Sequence, residues 1–200
     1  MIYISLKHRF LLVFIGFLAF SSFGQEQTVP RKDKDFRLEL EPSSVLLRGF
    51  AASCTYNLTK WDDINAGVYF ATSDIPGILK EDMFSDVDNT TDVRLGMEFA
   101  LMTRFKLNMF KNKESNPYVG MILGWEYFDI KQPGQEKLRI TTGIATPYIG
   151  YEIYFYKQML YVNPQLRGVY YFGTKSDDST RPETLVARYL LPQISLGIRL

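Results

Sequence analysis

From Ala145 to Phe172 apolar and mixed residues alternate through two successive runs. In the first, Ala145, Pro147, Ile149, Tyr151, Ile153 and Phe155 share one side, and Thr146, Tyr148, Gly150, Glu152, Tyr154 and Tyr156 share the other. In the second, Leu160, Val162, Pro164, Leu166, Gly168, Tyr170 and Phe172 oppose Met159, Tyr161, Asn163, Gln165, Arg167, Val169 and Tyr171. With Lys157 and Gln158 as the turn, Phe155 faces Leu160, Ile153 faces Val162 and Ile149 faces Leu166, while Glu152 meets Asn163 and Tyr148 meets Arg167. The faces agree across the hairpin. One face is apolar and the other is mixed and rich in Gly and Tyr, as a transmembrane β-barrel requires.

The same two-residue period recurs along the chain. It predicts strands at Asp35 to Glu41, Val45 to Leu58, Ile64 to Ser73, Val93 to Leu107 and Pro117 to Ile130, then the hairpin with its first strand beginning before Ala145, then a last strand ending at Leu200. In the fourth strand Val93, Leu95, Met97, Phe99 and Leu101 are expected outward, against Arg94, Gly96, Glu98, Ala100 and Arg104 inward. The count is eight, which predicts an all-β, antiparallel up-and-down barrel. Polar connections beginning at Asp74, Lys131 and Gly173 alternate with shorter ones at Lys60, Asn108 and Lys157, the asymmetry of outer loops and periplasmic turns. Pro147 and Pro164 each remove a ladder donor, and bulges are the expected accommodation.

The N-terminus adds a destination. Lys7, His8 and Arg9 precede an apolar run from Phe10 to Phe20 and small residues at Ser21, Ser22 and Gly24, which reads as a secretory signal peptide over 1–24. Residues 25–34 read as a periplasmic N-terminal extension and 35–200 as the barrel domain. A formal net charge of +1 gives no reason to expect a nucleic-acid partner. Cys54 is the one cysteine, so the chain forms no internal disulfide, and on an outward face it reads as a small apolar filler.

Alternation alone leaves a soluble, exported lipocalin-like ligand-binding barrel as an alternative. The composition of the faces favours the membrane. Gly49, Ala51, Ser53, Gly96, Gly120, Gly124 and Gly150 on the mixed face suit a narrow lumen. Aromatic residues gather toward strand ends, with Phe70, Trp125, Tyr127, Tyr170 and Phe172 at one level and Tyr56, Phe105 and Phe155 at the other, as interface girdles do. An exported chain of eight strands ending in an alternating strand resembles the small outer-membrane β-barrel families typified by the OmpA transmembrane domain and OmpX. The resemblance covers nearly all of the chain after the leader and rests on pattern. It implies an outer-membrane location, lipid and lipopolysaccharide around the wall, and the barrel-assembly machinery during biogenesis. Members usually end in an aromatic residue read by that machinery, whereas this chain ends in Leu200.

Outer-membrane barrel enzymes of the acyltransferase, deacylase and protease families rely on a histidine. His8, in the segment expected to be removed, is the single histidine here, so a non-catalytic protein without a cofactor is expected. Asp86, Asp88 and Asp92 are spaced like part of a calcium loop but lack its glycine and terminal Glu, and read as a solvated acidic loop. Eight strands leave an interior only wide enough for side chains. A polar lumen network is expected from Arg37, Glu39, Arg94, Glu98, Arg104, Glu126, Glu152, Gln165, Arg167 and Gln193. Arg48 on the second strand and Arg188 on the last share the outward parity; snorkelling of each to water is the first reading, and a lipopolysaccharide phosphate held between them is the sharper alternative. The functional expectation is a closed structural or interaction barrel, with protein partners met through its extracellular loops. An accessory membrane subunit of a secretion or uptake complex is the alternative.

Overall fold

The computed structural model describes residues 36–58, 64–84, 87, 90–107, 117–156, 159–178, 185 and 188–200. The expected leader 1–24 and extension 25–34, Asp35, the connections at Lys60 to Asp63 and Asn108 to Asn116, the turn at Lys157 and Gln158, and Asp86 and Asp88 lie outside the described residues.

Among the described residues nine strands follow in order: β1 (Phe36–Leu40), β2 (Phe50–Asn57), β3 (Ile64–Asp74), β4 (Asp92–Lys106), β5 (Pro117–Lys131), β6 (Leu138–Tyr151), β7 (Ile153–Tyr156), β8 (Leu160–Ser176) and β9 (Arg188–Arg199). Two short helices, α1 (Pro42–Leu46) and α2 (Gly77–Met83), lie in the first and third connections. Neighbours in sequence pair antiparallel, β6 pairs β8, and β1 pairs β9, so the sheet is a closed up-and-down ring. Because β6 and β7 are one stave interrupted at Glu152, the ring has eight staves. Hairpin pairings Ile149↔Leu166, Tyr148↔Arg167 and Ile153↔Val162 are present, while one extra residue at Phe155 shifts the last pair to Tyr156↔Leu160.

The second strand is shorter than its alternation suggests, since 45–49 is not extended. Pro42 has no N–H to give a neighbouring strand and its fixed φ suits the first helical turn. Ser44 Oγ donates to Glu41 O at 2.6 Å, and Arg48 leaves the helix at φ +53. Gly49 then lies so close to β3 that a Cβ there would sit 1.8 Å from Thr72 O, so only glycine fits.

β4 departs from its expected parity at one end. Relative to both neighbours it carries one extra residue near Gly96, between Leu95↔Phe128 and Met97↔Tyr127 on one side and at the Ala71 to Ser73 step on the other. A Cβ on Gly96 would meet the Tyr127 ring at 2.0 Å, which fixes the bulge at a glycine. Beyond a bulge the faces exchange. Val93 and Leu95 therefore turn inward and are buried, and Arg94 turns outward. A second bulge on β8 falls at Gly173, whose φ of +61 is open to glycine without strain.

The prolines are accommodated without bulges. No β8 pairing falls between Ala145↔Tyr170 and Tyr148↔Arg167, around Pro147, yet the register is the same on either side. Pro164 pairs with Ile194 and faces the interruption at Glu152. Pro192 has a different reason. Leu200 exchanges hydrogen bonds with Phe36, so even-numbered residues of β9 aim their backbone groups at β1. The β1–β9 ladder stops at Leu40↔Leu196, which leaves Pro192 on an unpaired edge where no donor is missed.

Candidate functional site

Inside the ring the described side chains form storeys. At the level where β1 begins, Glu39 and Glu152 organise the cations. Arg104 Nη1 donates to Glu39 Oε1 at 2.8 Å and to Glu152 Oε1 at 2.7 Å. Lys106 Nζ lies 3.5 Å from Glu152 Oε2 and Arg37 Nε 3.7 Å from Glu152 Oε1, while Arg37 also donates to Asn65 Oδ1. Glu39 Oε1 further accepts from Tyr161 at 2.9 Å and Asn163 at 3.0 Å, and Tyr118 donates to Asn163 Oδ1 at 2.6 Å. The Arg104 guanidinium stacks 4.4 Å over the Tyr118 ring. All these charged groups are buried. Charges taken from water persist only when paired and hydrogen-bonded.

Strand alternation supplies this cluster, and inward glycines make room for its rings. A Cβ would approach Tyr148 within 2.3 Å at Gly120, the Tyr118 hydroxyl within 2.3 Å at Gly150, and the Tyr161 ring within 2.2 Å at Gly197. Gly197→Ala is accordingly expected to push Tyr161 off Glu39 and destabilise the barrel by about 1–3 kcal/mol. The check is a lower urea midpoint at unchanged slope.

The next storey centres on Arg167. Its Nη2 donates to Glu41 Oε1 at 2.6 Å, its Nε to Gln165 Oε1 at 3.1 Å and its Nη1 to the Tyr69 hydroxyl at 3.3 Å. Tyr69 in turn donates to Glu41 Oε2 at 3.0 Å, and Gln193, half-buried, donates to Glu41 and to Ser43 Oγ at 3.3 Å. Glu98 and Glu126 face each other across β4 and β5, both buried.

Above them the lumen is apolar. Val93, Leu95, Phe128, Ile130, Leu138 and Ile140 line it, and the connection between β3 and β4 folds in from above. Ile75, Met83 and Phe84 are buried there, Phe84 standing edge-on to Phe128 at 5.4 Å. Lys80 Nζ ties α2 to Thr91 O, and a bridge joins Phe84 to Leu185 of the connection between β8 and β9. Asp86 and Asp88 lie outside the described residues and Asp92 is exposed; the rest of the described β3–β4 connection is an apolar stopper, because Ile75, Leu79, Met83 and Phe84 fall together once α2 forms.

Of the ten residues singled out from sequence, nine point into the ring. Arg94 does not. Its side chain is 56% exposed and lies 3.9 Å from Asp74, because the bulge at Gly96 reverses the parity above it. Arg48 is an exposed residue of the turn after α1, not a strand residue, and so has no strand parity to share with Arg188, which opens β9 opposite Tyr170. Glu41, Asn65, Tyr69, Lys106, Tyr118, Tyr161 and Asn163 join the lumen without having been singled out. Each has the inward parity of its strand, which was the available signal.

No family model matches the chain, and no curated protein matches it. Among solved structures it is similar to the N-terminal β-barrel domain of OprF from Pseudomonas aeruginosa, at TM-score 0.53 and 12% identity over 84% of this chain and 98% of that one. The chain has the fold of a small outer-membrane β-barrel. Weaker likenesses are a major outer membrane protein from Thermus thermophilus, at TM-score 0.47 and 12% identity over 84% of this chain and 100% of that one, and CarO2 from Acinetobacter baumannii, at 0.42 and 10% over 88% and 100%.

Proposed function

We propose that the chain is an integral outer-membrane protein with a closed, non-catalytic barrel, serving as a structural or interaction element whose immediate partner is lipid and whose upper connections meet other molecules. One observation carries the reading: the polarity of the barrel is inverted relative to a protein dissolved in water. Arg37, Glu39, Arg104 and Glu152 are buried inside it. Phe36, Leu101, Trp125, Phe172, Leu190 and Ile194 are exposed on its outside, with Leu101 at 63%. Exposing apolar area to water costs about 25 cal/mol per Å², whereas in a bilayer the same area faces its preferred solvent. A lipocalin-like binder would need the opposite distribution, with an apolar cavity inside. The apolar storey here is occupied by Phe84 and Phe128.

The test is fractionation after expression in a Gram-negative host. The chain is expected to stay with the outer membrane through an alkaline carbonate wash, and its unboiled form to migrate differently from the boiled form in detergent gels. Recovery of folded chain from the soluble periplasmic fraction without detergent would overturn the proposal.

A further inference from the structure

The barrel wall is uneven. β1 has 5 residues and β2 has 8, whereas β4 and β5 have 15 each and β8 has 17. A strand rises about 3.3 Å per residue, so β1 covers roughly 16 Å along its axis and less along a tilted barrel. The apolar band of an outer-membrane barrel is about 25 Å tall. On the β1 side, the described strand alone does not fill it.

What stands above Leu40 is α1, and its orientation is fixed from both ends. Glu41 is held inside by Arg167, Tyr69 and Gln193. Ser44 is buried, and Leu47 O accepts from Asp74 N at 2.8 Å at the end of β3. With those groups turned inward, Val45 and Leu46 are left facing out, 66% and 86% exposed. Like Phe36, Leu38 and Leu40 of β1, they are exposed apolar side chains. Directly after them comes exposed, cationic Arg48. Apolar side chains followed by a guanidinium at the edge of a lipid-facing wall suit the boundary between acyl chains and phosphate headgroups.

We infer that the first connection is a membrane-interface anchor: α1 lies in the headgroup–acyl boundary, inserting Val45 and Leu46 where β1 is too short to span. The inference rests on the outer-membrane reading above and adds to it a specific lipid contact and a low side to the barrel. On this side the bilayer meets a helix rather than a ladder.

The test uses the full chain with Trp61 and Trp125 replaced by Phe, reconstituted in phosphatidylcholine vesicles whose acyl chains carry bromine either near the carbonyl end or near the methyl end. Leu46→Trp reports on α1, with Val45→Trp as a second reporter, and Leu101→Trp reports on the middle of β4. An interfacial helix lies about 5–10 Å into the boundary, so Leu46→Trp should lose more emission to shallow than to deep bromine, and Leu101→Trp the reverse. Quenching of Leu101→Trp by deep bromine without quenching of either α1 reporter, as a covering protein copy would produce, overturns the anchor and leaves the membrane reading standing. Stronger quenching of the α1 reporters by deep bromine also overturns it. No quenching at Leu101→Trp removes the membrane reading and the anchor with it.

Discussion

Arg104→Met is expected to lower the unfolding free energy by about 3–5 kcal/mol, and Arg94→Met on the same strand by less than about 0.5 kcal/mol. Arg104 is fully buried and its Nη1 bonds Glu39 and Glu152 together. Removing it leaves two carboxylates in the lumen with one fewer cation, which costs more than the pair contributes when intact. Arg94 sits in solvent beside Asp74, where an ion pair is screened and weak. Urea unfolding of vesicle-embedded protein, followed by tryptophan emission, reads the difference. Adding Glu39→Gln to Arg104→Met should recover part of the loss, because the two residues share a bond. Similar losses for Arg94→Met and Arg104→Met would mean that the buried network is not what holds the staves together.

Phe84→Ala should release the stopper and leave the barrel intact. A buried Phe reduced to Ala costs about 3–5 kcal/mol, and here the cost falls on a 7-residue helix that has little intrinsic stability. Its other described fastenings include the packing of Met83 and Leu79, the Lys80 bond to Thr91 O and the bridge to Leu185. Local opening needs far less free energy than dismantling a closed ladder. Trypsin should then cut after Lys80, which is buried in the wild type, and the shielded core should keep its gel mobility. Neither the wild type nor Phe84→Ala is expected to carry steady, large currents in a planar bilayer, because the bonded side chains around Arg167 and Arg104 stay buried inside the ring. Such currents in Phe84→Ala alone would show that the stopper is the whole barrier.

The stave count, the inward and outward faces of most strands, and the residues at the foot of the lumen were legible in the sequence, because a two-residue period records which solvent each side chain meets. Ile149↔Leu166 and Tyr148↔Arg167 follow from it directly. Three features were not legible, for separate reasons. Gly96 looks like any small inward residue until the closeness of the Tyr127 ring, which leaves no room for a Cβ there, is seen, so the reversal that turned Arg94 out carried no visible signal. Val45 to Leu47 fits the alternation of β2, and only Pro42 hinted that the chain would coil first. The stopper is spread thinly through an acidic stretch, and Phe84 finds Phe128 and Leu185 only in three dimensions.

The ladder that closes the ring is short, running from Arg37↔Arg199 to Leu40↔Leu196 with Phe36 and Leu200 exchanging hydrogen bonds beside it. Every other staved pairing joins neighbours in sequence, so the sheet can grow hairpin by hairpin, each step closing a short loop. The last step must bring together segments separated by almost the whole chain, and loop entropy opposes it most. Until then the molecule is a curled sheet with two open edges, the state in which a membrane barrel is most exposed to mispairing. Closure gains few backbone bonds of its own, and the Glu39 and Glu41 carboxylates, carried in by β1 and its end, reach Arg104 on β4 and, past β9, Arg167 on β8. The buried ions thus act as a clasp, rewarding the one register in which the first stave meets the last.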